Sequence, residues 1–450
     1  MVVMTSLRCV FYTTFLLLYI ADIFIDHVFV SGSLSVLSIT CLIISFWGGG
    51  RTYQTISAIL LLAGGSLVFV SDVNVWGIPR FFNANALIIS LLYVLPFINN
   101  LIIVGRYDRS ILSLLRVNVR DARQLYVRTS ILTYVLCLFI FLSAVPAAYR
   151  TVKSLRIDQN IEFINRFASK AILRTFASAT VWSPVEVFIA VTVTATQVSY
   201  FDMLPWLIVF SIVMLAVDWV TNSKMKRISI DFTHGEVQRM KYQPMFVLFG
   251  ALFLFISIGY MLSKGFHIDF FDAVILCIVP FSLVWSLLIG RFRSFLTYNY
   301  LAWPRHIASM QNFMILFLSI GFFGSMLQET DLIPEAQQAL LGGFTTVPLV
   351  LFLILQMVSL LAAMIGIHPL VTLSLMGMFI QPLLDTLNPL SLAIVLLTSN
   401  LANDSSGTFN TTVTLMSDMT GENPYRITAR NLLFALLYGW VGIALAYLLL

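Results

Sequence analysis

Runs of about 20 apolar residues recur along the whole chain, and no other feature limits its fold so strongly. An α-helix rises about 1.5 Å per residue, so such a run crosses a hydrocarbon core about 30 Å thick. Runs of this kind occupy 9–29, 33–48, 53–71, 84–104, 129–149, 203–222, 245–263, 271–289, 311–327, 347–366 and 430–449. Two further apolar stretches, 163–200 and 368–420, are interrupted by polar residues. Of the 450 residues, 59% are hydrophobic and 10% charged. Soluble domains carry about 25% charged residues, and a soluble interior of this size has no room for so much apolar surface. The expected fold is all-α, a polytopic transmembrane helical bundle of about 11–12 spans.

The net charge of +5 has a topological explanation. Basic residues gather in the loops 105–128, 223–243 and 290–308, and short basic loops stay in the cytoplasm. Acidic Glu329, Asp331 and Glu335 place 328–338 outside. No nucleic-acid motif is present. The spans 129–149 and 203–222 already supply the two crossings needed between the first two basic loops. The stretch 163–200 is therefore expected to enter and leave on one side as a re-entrant hairpin. That leaves Arg150, Lys153, Arg156, Arg166, Lys170 and Arg174 outside, either on an amphipathic surface helix or attracting anions, unless the topology here differs. Asp22, Asp26 and Asp218 lie near span ends and are expected to reach the interface. Cys9, Cys41, Cys137 and Cys277 lack metal spacing and read as packing residues. Arg8 precedes an apolar stretch with no small-residue cleavage site, so the first span reads as a retained helix. Gly48-Gly49-Gly50 reads as a tight turn and not a phosphate loop.

The richest stretch runs from Thr398 to Thr412, between apolar flanks. Its Ser, Asn, Asp and Gly residues are poor helix-interior residues, so a break is expected within Ser399–Asn410. At membrane depth, broken backbone is tolerated only inside protein or beside water. Freed carbonyls with Asn and Ser oxygens and the Asp404 carboxylate suit sodium or a proton. Freed N–H groups suit an anion. Asn403, Asp404, Ser405 and Gly407 are the candidate coupling-ion residues. Asn400, Ser405, Ser406, Thr408 and Asn410 are candidates for the solute. The alternative is an ordinary polar loop; Asn403-Asp404-Ser405 and Asn410-Thr411-Thr412 also match the glycosylation pattern.

Ser183-Pro184-Val185 and His368-Pro369-Leu370 each open an apolar stretch that meets another proline, Pro205 or Pro389, at nearly equal spacing. Paired Pro-interrupted segments in two halves point to a transporter site. Ser183, Pro184, Glu186, Thr192, Thr196 and His368 are therefore candidate solute residues. The threonines also read as interhelical hydrogen-bond donors, and His368 as a structural residue. The expected organisation is a first repeat over 1–225 with a hairpin near 163–200, and a basic cytoplasmic linker over 226–244. A second repeat over 245–450 follows, with a hairpin near 347–385 and a broken helix near 390–420.

The helix count, the Ser183-Pro184 and His368-Pro369 tips and the polar break at Ser399–Asn410 resemble the ion transporter superfamily of citrate, dicarboxylate, gluconate, arsenite and sodium/proton carriers. The resemblance implies inverted repeats, two re-entrant hairpins, a scaffold and a moving part, sodium or proton coupling, and a homodimer in many relatives. Sodium/dicarboxylate members carry Ser-Asn-Thr at each tip. Here Ser399-Asn400-Leu401 keeps two of the three residues and lies elsewhere, so no dicarboxylate site is carried over.

The leading expectation is a secondary active transporter for a small anionic solute, with bilayer lipid and solute as its partners and no cofactor beyond the coupling ion. An integral-membrane enzyme or lipid-linked glycan-handling protein explains the helices too, but no HExxH, GxSxG or paired-acid motif is present. A channel is the third reading. No nucleotide-binding pattern supports a pump.

Overall fold

The computed structural model describes residues 2–25, 27–71, 73–112, 115, 121–155, 160–223, 243–330 and 347–450. The expected linker at 226–244 lies outside these residues up to 242, as do Asp26, Arg156, Asp331 and Glu335. The described residues form helices and no strand. Ten of these helices are long and apolar enough to cross a membrane. They coincide with ten of the expected spans. The eleventh, 53–71, is the 17-residue helix α3, Arg51–Leu67. The chain is an integral, multi-pass helical membrane protein.

The described helices separate into two compact units, and each takes one segment from either side of the linker: 1–104 with 255–343, and 105–254 with 344–450. In the first unit, α1 (Val2–Phe24), α2 (Val28–Phe46), α3 and α4 (Ala86–Val104) pack on α13 (Phe292–Gln328). Tyr12 on α1 is fully buried and its hydroxyl lies 2.6 Å from Ser45 Oγ. Arg8 donates to the Ile44 carbonyl near the end of α2, so this arginine satisfies a helix terminus. The glycine turn forms as expected: a Cβ at Gly48 would strike Arg8, and Gly50 N–H donates to Asn312 Oδ1 at 2.8 Å.

One loop is corrected. The segment 290–308 was expected to be a basic connection. Instead α13 runs 37 residues through it, about 55 Å, despite Pro304. Phe295, Asn299, Ile307, Met310 and Met314 recur at helical spacing and are buried, and Phe295 packs against Leu101 and Val104 of α4. That stripe outweighs the hydrogen bond lost at Pro304, which membrane helices tolerate.

The second unit contains α6 (Ala122–Ile140), α7 (Ala144–Ser154), α8 (Ile161–Thr180), α9 (Val187–Thr196) and α10 (Tyr200–Thr221). From the later segment come α14 (Pro348–Ile365), α15 (Pro369–Ile380), α16 (Pro389–Leu401), the single turn α17 (Asn403–Ser406), α18 (Thr411–Thr420) and α19 (Pro424–Leu448). Helix starts in this later segment follow one rule. Proline stands first in α14, α15, α16 and α19, where its missing N–H costs nothing. His368, Asn388 and Asn423 cap the last three from the preceding position.

Candidate functional site

The helices α8 and α9 are joined by the turn that holds Ser183, Pro184 and Glu186. α8 ends at Thr180 and α9 begins at Val187. Ten residues of α9 rise about 15 Å, half a hydrocarbon core, so this arm cannot cross. Ser183 N–H donates to the Thr180 carbonyl, and Glu186 N–H donates to the Ser183 carbonyl, both at 3.0 Å. Pro184 between them offers no N–H to orphan. Glu186 caps α9: Oε1 accepts from Phe188 N–H at 3.3 Å. Its other oxygen, Oε2, is buried and has no hydrogen-bond partner among the described residues. Trp182 Nε1 donates to Tyr134 Oη on α6, and Tyr200 Oη on α10 donates to the Trp182 carbonyl, so the tip is tied down on two sides.

The second hairpin turns at Gly366, whose φ of 100° suits a residue without a Cβ. Its short arm is α15. His368 Nδ1 accepts from Leu370 N–H at 3.2 Å, so the two tips place a capping side chain at the same point, Glu186 in one and His368 in the other. Thr192 and Thr196 donate to carbonyls four residues back on their own helix, both at 2.8 Å. Their donors are thus taken locally, and their lone pairs remain.

The polar stretch is more helical than expected. Helix persists through Ser406 apart from a turn at Ala402, and the break is confined to Gly407–Asn410. The polar side chains remain helical because they bond back to the helix or across to α14. Thr398 Oγ1 donates to the Ile394 carbonyl at 2.7 Å and Ser405 Oγ to the Ala402 carbonyl at 2.8 Å. Asn400 Nδ2 donates to the Leu396 carbonyl, while its Oδ1 accepts from Ser359 Oγ at 2.9 Å. Asn403 Nδ2 donates to Ser359 Oγ at 2.9 Å. Gly407 then ends the turn: its N–H donates to the Asn403 carbonyl at 2.6 Å, and a Cβ there would crowd that carbonyl and Ala363. Asp404 Oδ1 accepts from Asn410 Nδ2 at 2.8 Å, so the carboxylate spans the break. Thr412 Oγ1 donates to the Asp404 carbonyl, and Thr408 Oγ1 lies 3.0 Å from Thr428 Oγ1 on α19. Ser399 Oγ, Asn403 Oδ1 and Ser406 Oγ are buried without hydrogen-bond partners among the described residues.

Two expected residues lie inside the unit. Glu186 and Asp404 are both buried, and the elements around them pack together, α16 on α9 and α17 on α8. Tyr438 is buried on α19, which packs against both α16 and α17. Tyr438 Oη donates to the Ala177 carbonyl of α8 at 2.8 Å. Tyr438 and Ser359 escaped the sequence reading. A serine and Gln356 inside the otherwise apolar span 347–366 were the available signal for Ser359.

Two charged residues are also corrected. Asp218 was expected to reach the membrane interface, and a surface helix was one of the readings for Arg174. Both are buried, and they pair at 3.0 Å. Asp218 also accepts from Tyr126 Oη at 2.8 Å and Asn222 Nδ2 at 3.0 Å. Arg174 donates to Asn431 Oδ1 at 2.8 Å and to the Arg430 carbonyl, and lies over the Phe434 ring. α8 is therefore an interior element of its unit, because its charge has partners on α10 and α19.

No family model matches this sequence, and no curated protein sequence matches it. Among solved structures, the crystal structure of the Alcanivorax borkumensis YdaH transporter is similar with a TM-score of 0.61 and 14% sequence identity, covering 88% of this chain and 97% of that one. At this identity the likeness concerns the fold alone.

Proposed function

We propose that the protein is a secondary active transporter that moves a small anionic solute by alternating access, coupled to a proton or sodium ion held by Glu186 and Asp404. The observation that carries the reading is the burial of these two carboxylates on elements that pack together, one at a turn before α9 and one at a helix break. Two carboxylates away from water repel unless a cation lies between them or one is protonated. Such a pair responds to one cation and has little structural value of its own, because it adds repulsion to the unit. The unpartnered Glu186 Oε2 leaves a coordination position open. The solute hydroxyl and amide groups come from Ser183, Asn400, Asn403 and Ser406 around the tip and the break. The likeness to the YdaH transporter and the resemblance to the ion transporter superfamily support the same reading, with a carrier preferred to an enzyme or channel. The membrane is taken to be a cell inner or plasma membrane.

The test is uptake into proteoliposomes. The purified protein is given a panel of radiolabelled small anions under an imposed proton gradient, a sodium gradient, or neither. Gradient-driven, saturable uptake of one anion class that disappears in Asp404→Asn and Glu186→Gln supports the reading. Uptake that is indifferent to both gradients, or unaltered by both substitutions, refutes it.

A further inference from the structure

On one face of the second unit, α8 and the first turns of α19 bring five cations together. Glu162, Arg166, Lys170 and Arg174 follow at intervals of four on α8, and four residues apart is one helical face. Glu162 lies 3.3 Å from Arg166 and 3.5 Å from Arg426 of α19. Arg430 pairs with Glu422 at 2.9 Å and donates to Ser169 Oγ at 2.9 Å. Arg174 pairs with Asp218. Every guanidinium in the group thus has a carboxylate partner.

Lys170 has none. It is half-buried, makes no hydrogen bond or ion pair among the described residues, stands one turn from Arg166 and from Arg174 on α8, and neighbours Ser169, to which Arg430 reaches. Five cations here meet three carboxylates. Lys153, over the ring of Tyr149, adds to the same charge, since Tyr149 Oη bonds Asn165 one turn before Ser169 on α8. Desolvating an ammonium among three guanidiniums is unfavourable unless an anion completes the set.

We propose that Lys170, between Arg166, Arg174 and Arg430, is the centre of a binding site for a phosphate- or sulfate-like oxyanion. The ammonium supplies up to three free donors, and the surrounding guanidiniums supply the field. Oxyanions of this kind occur free in solution and as phosphodiester headgroups of anionic lipid. The site is separate from the carboxylate pair: Lys170 stands ten residues before the end of α8, about 15 Å along the helix from the hairpin turn. It therefore does not depend on the transport reading.

The test follows the reactivity of Lys170 in the purified full-length protein, using an amine-directed reagent and mass spectrometry. Inorganic phosphate and sulfate are compared with chloride at equal ionic strength in detergent. Phosphatidylcholine vesicles with and without phosphatidylglycerol form the second arm. Protection of Lys170 by phosphate or sulfate in detergent assigns a free oxyanion, and protection only with phosphatidylglycerol assigns a lipid headgroup; either supports the site. Thermal stabilisation by the protecting anion is expected to survive in Lys170→Arg and in Lys153→Gln, and to be lost in Lys170→Gln. Unliganded Lys170→Gln should be at least as stable as wild type, because it removes a repelled charge. Equal Lys170 reactivity in all conditions, or full stabilisation of Lys170→Gln, overturns the proposal. Protection that persists in Glu186→Gln with Asp404→Asn, where coupled uptake is lost, keeps the two proposals distinguishable.

Discussion

Asp218→Asn is expected to destabilise the protein by about 3 kcal/mol, the low end of the range for breaking a buried ion pair by removing one partner. The geometry sets that end of the range. Asp218 accepts from Arg174 and Asn222 on Oδ1 and from Tyr126 on Oδ2. An asparagine can keep its oxygen toward Arg174 and turn its amide nitrogen toward Tyr126, whose hydroxyl can accept. The main loss is therefore the countercharge of a guanidinium held in the interior. Asp218→Ala loses all three bonds and should cost more. Arg174→Met strands Asp218 as a buried charge and also orphans Asn431 Oδ1, at about 3 kcal/mol again. The double variant Asp218→Asn with Arg174→Met is neutral throughout, so only hydrogen bonds are missing, at about 1–3 kcal/mol. The two substitutions should thus couple by about 3–5 kcal/mol. Equilibrium unfolding in mixed detergent and dodecyl sulfate micelles, followed by tryptophan fluorescence, measures each corner of the cycle. A double variant whose cost equals the sum of the single costs within about 0.5 kcal/mol would show that the pair is not energetically real.

Helix crossings give the second expectation. A Cβ at Gly439 would strike Gln356, and one at Gly442 would strike Thr398, so Gly439→Ala and Gly442→Ala should each lose about 1–3 kcal/mol in the same unfolding assay, whereas Gly265→Ala, in open space, should not. His368→Asn keeps a capping side chain and should leave the pH profile of uptake unchanged, while His368→Ala should lower stability by about 1 kcal/mol; an altered pH profile in His368→Asn would return the histidine to proton transfer. In the first unit, Asn100 Nδ2 donates to Asn299 Oδ1 at 2.9 Å between α4 and α13. Either asparagine changed singly to leucine should cost about 1–3 kcal/mol, and both together should cost less than one alone, as seen in melting curves.

What the sequence made legible follows from which forces act locally. The spans were readable because the bilayer demands continuous apolar length, and the hairpin tips because proline and its neighbour fix backbone at the turn. The start of α13 was not, because three arginines and Pro304 mark a loop by composition, while its buried stripe declares itself only against α4. Asp218 and Arg174 were misplaced for a related reason. An acid near a span end ordinarily reaches water, and only the fold brings a guanidinium from α8 within 3.0 Å of it. In the candidate site, Asp404 and Glu186 stood out as acids in apolar runs, whereas Tyr438 and Ser359 belong to it through long-range packing that no local pattern encodes.

The length of the helix break shows how the membrane disciplines such a site. Fifteen polar-rich residues, Thr398–Thr412, hold enough Ser, Asn and Asp to unwind several turns in water, yet backbone opens only at Gly407–Asn410. Where water is absent, each unwound residue leaves an N–H and a carbonyl to satisfy, at several kcal/mol for each that fails. Thr398, Asn400 and Ser405 therefore give their donors to the carbonyls of their own helix, and Asn403 gives its amide to Ser359. The side chains that could have competed with the helix now support it. The break then falls at the glycine, where Asp404 and Asn410 close the gap with a side-chain bond across it. That bond links the two helical pieces through the same carboxylate proposed to take the cation. Occupancy of Asp404 and the relative position of α17 and α18 are thereby mechanically joined, which is the property a coupled carrier requires of one residue.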